Sequence, residues 1–104
     1  MRRLKISRAA QRDLKAIARY IADQSGGDIA RGVIDGVRKH CDRIAALPGS
    51  LGSARPELGA DLRSTPHHRY IIYFRYTEDA LEVINVRDAR RDTFAHFAEH
   101  DPEI

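Results

Sequence analysis

The sequence predicts an α+β domain, in which a helical hairpin packs on one face of a small, mostly antiparallel sheet in the order β-α-α-β-β-β. Three observations carry this. Apolar residues recur at helical spacing twice before residue 48 and alternate at strand spacing after residue 68. Between these regions lies PGSLGSARPELGAD, a Gly-, Pro- and Ser-rich loop. At 104 residues, 42% of them hydrophobic and 32% charged, the chain is expected to be a single domain over 1–104 with one core.

Each element has its own signal. Arg2 to Ile6 alternates basic and apolar, with Leu4 and Ile6 inward, and reads as a short strand. Ser7 suits the N-cap of the helix that follows. Leu14, Ile17, Ala18 and Ile21 fall at i, i+3, i+4 and i+7, so that helix is amphipathic and ends near Gln24. Ser25-Gly26-Gly27 breaks it, and Asp28 is placed to cap a second helix. Ile29, Val33, Val37, Cys41 and Ile44 carry the second apolar stripe to Leu47, where Pro48-Gly49 stops it. So short a link predicts an antiparallel hairpin.

After the loop, Leu62 to Ser64 reads as a short strand before a turn at Pro66. Arg69 to Tyr76 is a longer one, with Tyr70, Ile72, Phe74 and Tyr76 on one face and Ile71 and Tyr73 on the other. Apolar residues on both faces predict a central strand. Thr77 to Ala80 makes a turn, and Leu81 to Arg87 is the partner strand. Phe94 and Phe97 suggest a brief arm that folds back.

Composition excludes several function classes. No apolar run approaches the ~18 residues that cross a bilayer. The basic opening Met-Arg-Arg-Leu-Lys-Ile-Ser is unlike a signal peptide, so the expected location is the cytoplasm. Cys41 is the single cysteine, which excludes an internal disulfide; its place in an apolar stripe predicts a small buried hydrophobe. The net charge of +3 is unevenly spread: residues 1–19 hold seven basic side chains against one acid, Asp13, and fifteen of the eighteen basic residues are arginine. Arginine favours planar contacts with carboxylate or phosphate, so such a surface suits nucleic acid or an acidic partner; arginine codons of a GC-rich genome would give the same composition.

Catalytic patterns are sparse. His96-Phe97-Ala98-Glu99-His100 matches the zinc-protease pattern H-x-x-E-H, but little chain remains to supply a further ligand or wall a cleft, and no metal site is expected. His67 and His68 read as solvated turn residues and His40 as a surface residue. No phosphate loop, dinucleotide fingerprint or nucleophile elbow occurs, and no cofactor is expected. The arginines around the last strands remain: Arg63, Arg69, Arg75, Arg87, Arg90 and Arg91, divided between internal ion pairs and partner contact.

Leu62-Arg63, Pro66, Arg69-Tyr70-Ile71-Ile72-Tyr73-Phe74-Arg75, then Val83, Val86 and Arg91-Asp92, follow a short strand and helical hairpin in an order that resembles the ParE toxins of the RelE/ParE superfamily. Ser7 through Leu14 resembles the opening of that family. The resemblance implies the toxin of a type II toxin–antitoxin system, of the kind associated with plasmid stabilisation. A ParD-like ribbon-helix-helix antitoxin would neutralise it, and operator DNA would be reached only through that antitoxin. ParE-like toxins are associated with poisoning DNA gyrase, and RelE-like relatives with cutting mRNA on the ribosome. The second activity needs a general base and acid besides cations for the phosphorane charge, with Arg63, Arg87, Arg91 and Tyr76 as candidates. Asp88 stands where many relatives carry histidine, and no lysine follows Lys39. A non-catalytic gyrase inhibitor is therefore expected, with Arg87, Arg90, Arg91 and Phe94 toward the target. Ile17, Tyr20, Ile21, Arg55, Glu57 and Arg63 are the candidates for antitoxin contact, while core packing is the simpler role for Ile17 and Ile21.

Overall fold

The computed structural model describes residues 2–47 and 51–89. Strand β1 (Arg3–Ile6) passes to helix α1 (Arg8–Ser25) through Ser7. The Ser7 hydroxyl accepts from the Ala10 N–H at 3.0 Å, as an N-cap does, and donates to the Ile84 carbonyl at 2.8 Å. One residue, Gly26, joins α1 to helix α2 (Gly27–Ala46). Its φ of 98° is open to glycine and strained for other residues. The Gly26 N–H closes α1 on the Ala22 carbonyl, and its own carbonyl accepts from Ala30 to start α2. This corrects the expected cap: α2 begins one residue before Asp28, which instead sits in the first turn and pairs with Arg31 at 2.7 Å.

Four strands follow: β2 (Ser53–Ala54), β3 (Arg63–His67), β4 (Tyr70–Tyr76) and β5 (Ala80–Asp88). The sheet order is β1-β5-β4-β3-β2; β1 runs parallel to β5 and every other neighbour is antiparallel. This is the expected α+β arrangement with one strand more, because the two-residue β2 is too short to leave an alternating pattern. β4 is central, as its apolar residues on both faces require.

Two details of the sheet depart from expectation. β3 runs through Pro66 to His67, and the turn is His68-Arg69, with His68 at φ 55°. Pro66 is tolerated because β2 covers β3 only at Arg63 and Ser64, so beyond them the outer edge needs no donor. β5 carries a bulge: Tyr73 faces Asn85 while Phe74 faces Val83, leaving Ile84 as the extra residue.

β1 ends opposite Val83, so the next stretch of β5 has no strand on that side. Helix α1 supplies the partners. Ser7 takes the Ile84 carbonyl, and the Asp13 carboxylate accepts from the Val86 N–H at 2.9 Å and the Asn85 amide at 3.1 Å. The core lies between this layer and the helices: Leu14 and Ile21 from α1, Val37, Cys41 and Ile44 from α2, and Ile72, Phe74, Leu81, Val83 and Val86 from the sheet. Cys41 is buried as expected, and burial pushes its thiol up to about 11. Ile29 departs from the expected stripe and is 55% exposed; Ala30 takes the inward position.

Candidate functional site

The expected contact residues fall in three places. The first is a groove of about 770 Å³ between the end of α1, the outer face of α2 and the β3–β4 turn. Tyr20 and Ile21 form one wall, Ile29 and Val33 another, and His67 to Tyr70 close the end. Two glycines of α2 line it: open space surrounds the position where a side chain would grow from Gly32, and a Cβ at Gly36 would make an ordinary 3.6 Å contact with His67 Nε2. Tyr20 is half exposed, whereas Ile21 is buried and Ile17 packs partly buried against the core. The sequence reading of Ile17 and Ile21 as packing residues thus fits, with Ile21 also presenting its edge to the groove.

The second place is the 51–64 region, at the other end of β3. Arg63 donates to the carbonyls of Leu51 at 2.7 Å and Gly52 at 2.8 Å. Gly52 has φ 76°, and a Cβ there would meet the Ser64 carbonyl at 2.6 Å, so only glycine fits beneath this clasp. The Tyr76 hydroxyl accepts from the Leu51 N–H at 2.9 Å. The Arg2 guanidinium lies 4.3 Å over the Tyr76 ring and donates to the Leu47 carbonyl. Arg63 and Tyr76 are therefore fastened to backbone. Arg55 donates to Ser64 Oγ at 2.8 Å, leaving Glu57 and Leu58 exposed on the loop beside it. Arg55, Glu57 and Arg63 do not share the groove with Tyr20.

The third place is the sheet face away from the helices. Strand alternation puts Arg87 there, opposite half-buried Ile71, because Val86 beside it points into the core. Arg75 pairs with Glu82 at 2.8 Å on the same face. Asp88, two residues on from Val86 and in register with buried Tyr70, returns to the helix side, where Arg69 pairs with it through two nitrogens at 2.6 and 3.0 Å. Arg87 is exposed and has no ion pair among the described residues. Arg90, Arg91, Phe94 and the His96–His100 motif lie outside the described residues.

His68 is the exposed turn residue expected, but His67 ends β3 and both His67 and His40 are partly buried. His40 on α2 stacks on His67 with ring centroids 4.6 Å apart, and His68 meets His67 edge-on at 4.5 Å. Burial lowers the pKa of both His40 and His67, with Arg43 and the neighbouring imidazoles adding to the effect. His40 Nε2 is buried without a hydrogen-bond partner among the described residues. No group of three potential ligands there is placed to hold a metal. The cluster joins α2 to the β3–β4 turn on the helix side, whereas Arg87 lies on the open side. Residues 27 apart in sequence form the stack, and no local pattern announces such a contact.

Three comparisons with known proteins bear on this fold. The sequence model of the family described as the ParE toxin of the type II toxin–antitoxin system, parDE, matches residues 4–93. A solved structure titled as a chromosomal ParDE system from P. aeruginosa superposes with a TM-score of 0.72 at 19% identity, covering 85% of this chain and 96% of that one. Curated protein sequences give no significant match.

Proposed function

The chain belongs to the ParE toxin family and is a toxin of a type II toxin–antitoxin system, and we propose that it acts by gripping DNA gyrase rather than by cutting RNA. The observation that carries this reading is the state of the sheet's polar side chains. Cleavage of RNA through its 2′-hydroxyl needs a base, an acid and cations converging on one phosphate. Arg63 and Tyr76 are tied to the 51–52 backbone, Arg69 holds Asp88, and the histidines lie on the opposite side of the sheet from Arg87. Arg87, mounted on a strand and without an ion pair among the described residues, suits recognition of a protein surface, and Arg90, Arg91 and Phe94 would extend the same contact.

The groove supports a place for neutralisation. A ParD-like antitoxin, with a ribbon-helix-helix half that carries the operator contact, would lay an apolar segment against Tyr20 and Ile21. The loop with exposed Glu57, braced by Arg55 and Arg63, offers a second contact. Regulated expression without antitoxin tests the assignment. The expected result is induction of the DNA-damage response with intact transcripts. Rapid translation arrest with cuts inside translated messages would overturn it in favour of the endonuclease.

A further inference from the structure

The solvent face of α1 carries Arg8, Arg12, Lys15 and Arg19 at i, i+4, i+7 and i+11. At 100° per residue these four lie within about 60° of one another, along about 16 Å of helix axis. All four are exposed, and none has an ion-pair partner among the described residues. Asp13, the one acid in residues 1–19, is turned to the sheet and held by Val86 and Asn85. The nearest acid on the same face is Asp23, beyond Arg19. The four cations together exceed the whole chain's net charge of +3, so the rest of the molecule is close to neutral.

We propose that this stripe binds the phosphate backbone of double-stranded DNA, independently of sequence. Two features favour that occupant over an acidic protein. No large apolar side chain lies between the cations, where a protein interface needs a buried core. No aromatic residue lies there either, as single-stranded nucleic acid would use for stacking. What remains is a straight row of mostly arginine charges on a rigid helix, matched to a regularly charged, stiff polyanion. The stripe is separate from the Tyr20 groove and from Arg87, so this contact stands whether or not gyrase is the target.

The test is fluorescence anisotropy of the isolated full chain with a labelled 20-bp duplex of mixed sequence, from 50 to 200 mM salt. Four phosphate contacts predict a log–log slope near −3.6, an affinity loss of about 10²-fold across that range. Arg8→Gln/Arg12→Gln/Lys15→Gln/Arg19→Gln is expected to abolish measurable binding, and Arg8→Gln/Arg12→Gln to halve the slope. Arg31→Gln/Arg38→Gln/Lys39→Gln/Arg43→Gln on α2 removes the same charge and is expected to retain binding within about threefold. Both four-fold variants should keep the helical circular dichroism of the parent. Undiminished binding by the α1 variant, equal loss in the α2 variant, or equally tight binding of polyglutamate would each overturn the proposal.

Discussion

On the sheet, Arg63, Arg69 and Arg75 each end on a fixed acceptor, whereas on α1 Arg8, Arg12 and Arg19 end in solvent. The residue type is the same and the surroundings differ. Antiparallel strands bring Glu82 opposite Arg75 and set Asp88 beside the turn that carries Arg69. Along α1, the nearest charged neighbours of Arg8, Arg12 and Lys15 on their face are other cations, and Arg19 stands between Lys15 and Asp23. Like charges at i, i+4 cost about 0.2–0.5 kcal/mol each, a small penalty from which folding gains nothing. The contrast separates arginines that hold the fold from arginines that are available to a partner.

Asp13→Ala gives the largest way to break that division, since Asp13 is the one charge on α1 assigned to the fold. It would leave the Val86 N–H without an acceptor and cost about 3 kcal/mol, read as a shift of the denaturant midpoint. Arg63→Ala should cost about 2 kcal/mol by freeing the Leu51 and Gly52 carbonyls. Arg63→Lys should recover less than half of that, because a single ammonium nitrogen cannot reproduce the fixed spacing of the Nε and Nη2 donors on the two carbonyls. Arg69→Ala and Arg75→Ala should each cost about 0–1 kcal/mol, as half-exposed ion pairs do.

The smallest expected effect concerns the His40–His67 stack. Both imidazoles have pKa values lowered from 6.5 in the folded chain, so the unfolded chain binds protons that the folded one resists. Stability should be full above pH 6.5 and decline as the pH falls through and below it. His67→Asn should flatten that decline in thermal melts across pH 7.5 to 5. An unchanged slope would remove the stack from the balance of forces.

Much of the fold was legible because it is local. The 3.6-residue stripe around Leu14 and Ile21, the Ser7 cap, the glycine break and the two-faced apolar run of β4 all act over a few residues. What sequence reading missed is contact at a distance or a two-residue event. Pro66 looked like a turn because only the absence of a neighbour beyond Ser64 makes it acceptable in a strand. His40 looked exposed because its cover comes from His67. Arg63 read as a contact residue, yet its acceptors are the backbone of a loop eleven and twelve residues away. The unpaired row on α1 was visible as a basic excess, but only the structure separates Asp13 from it.

Supercoiling by purified DNA gyrase, titrated with the full chain, tests the central claim most directly. The expected result is dose-dependent loss of supercoiling with accumulation of cleaved DNA, weakened at least tenfold by Arg87→Ala at unchanged melting temperature. Normal supercoiling at saturating toxin would contradict the account.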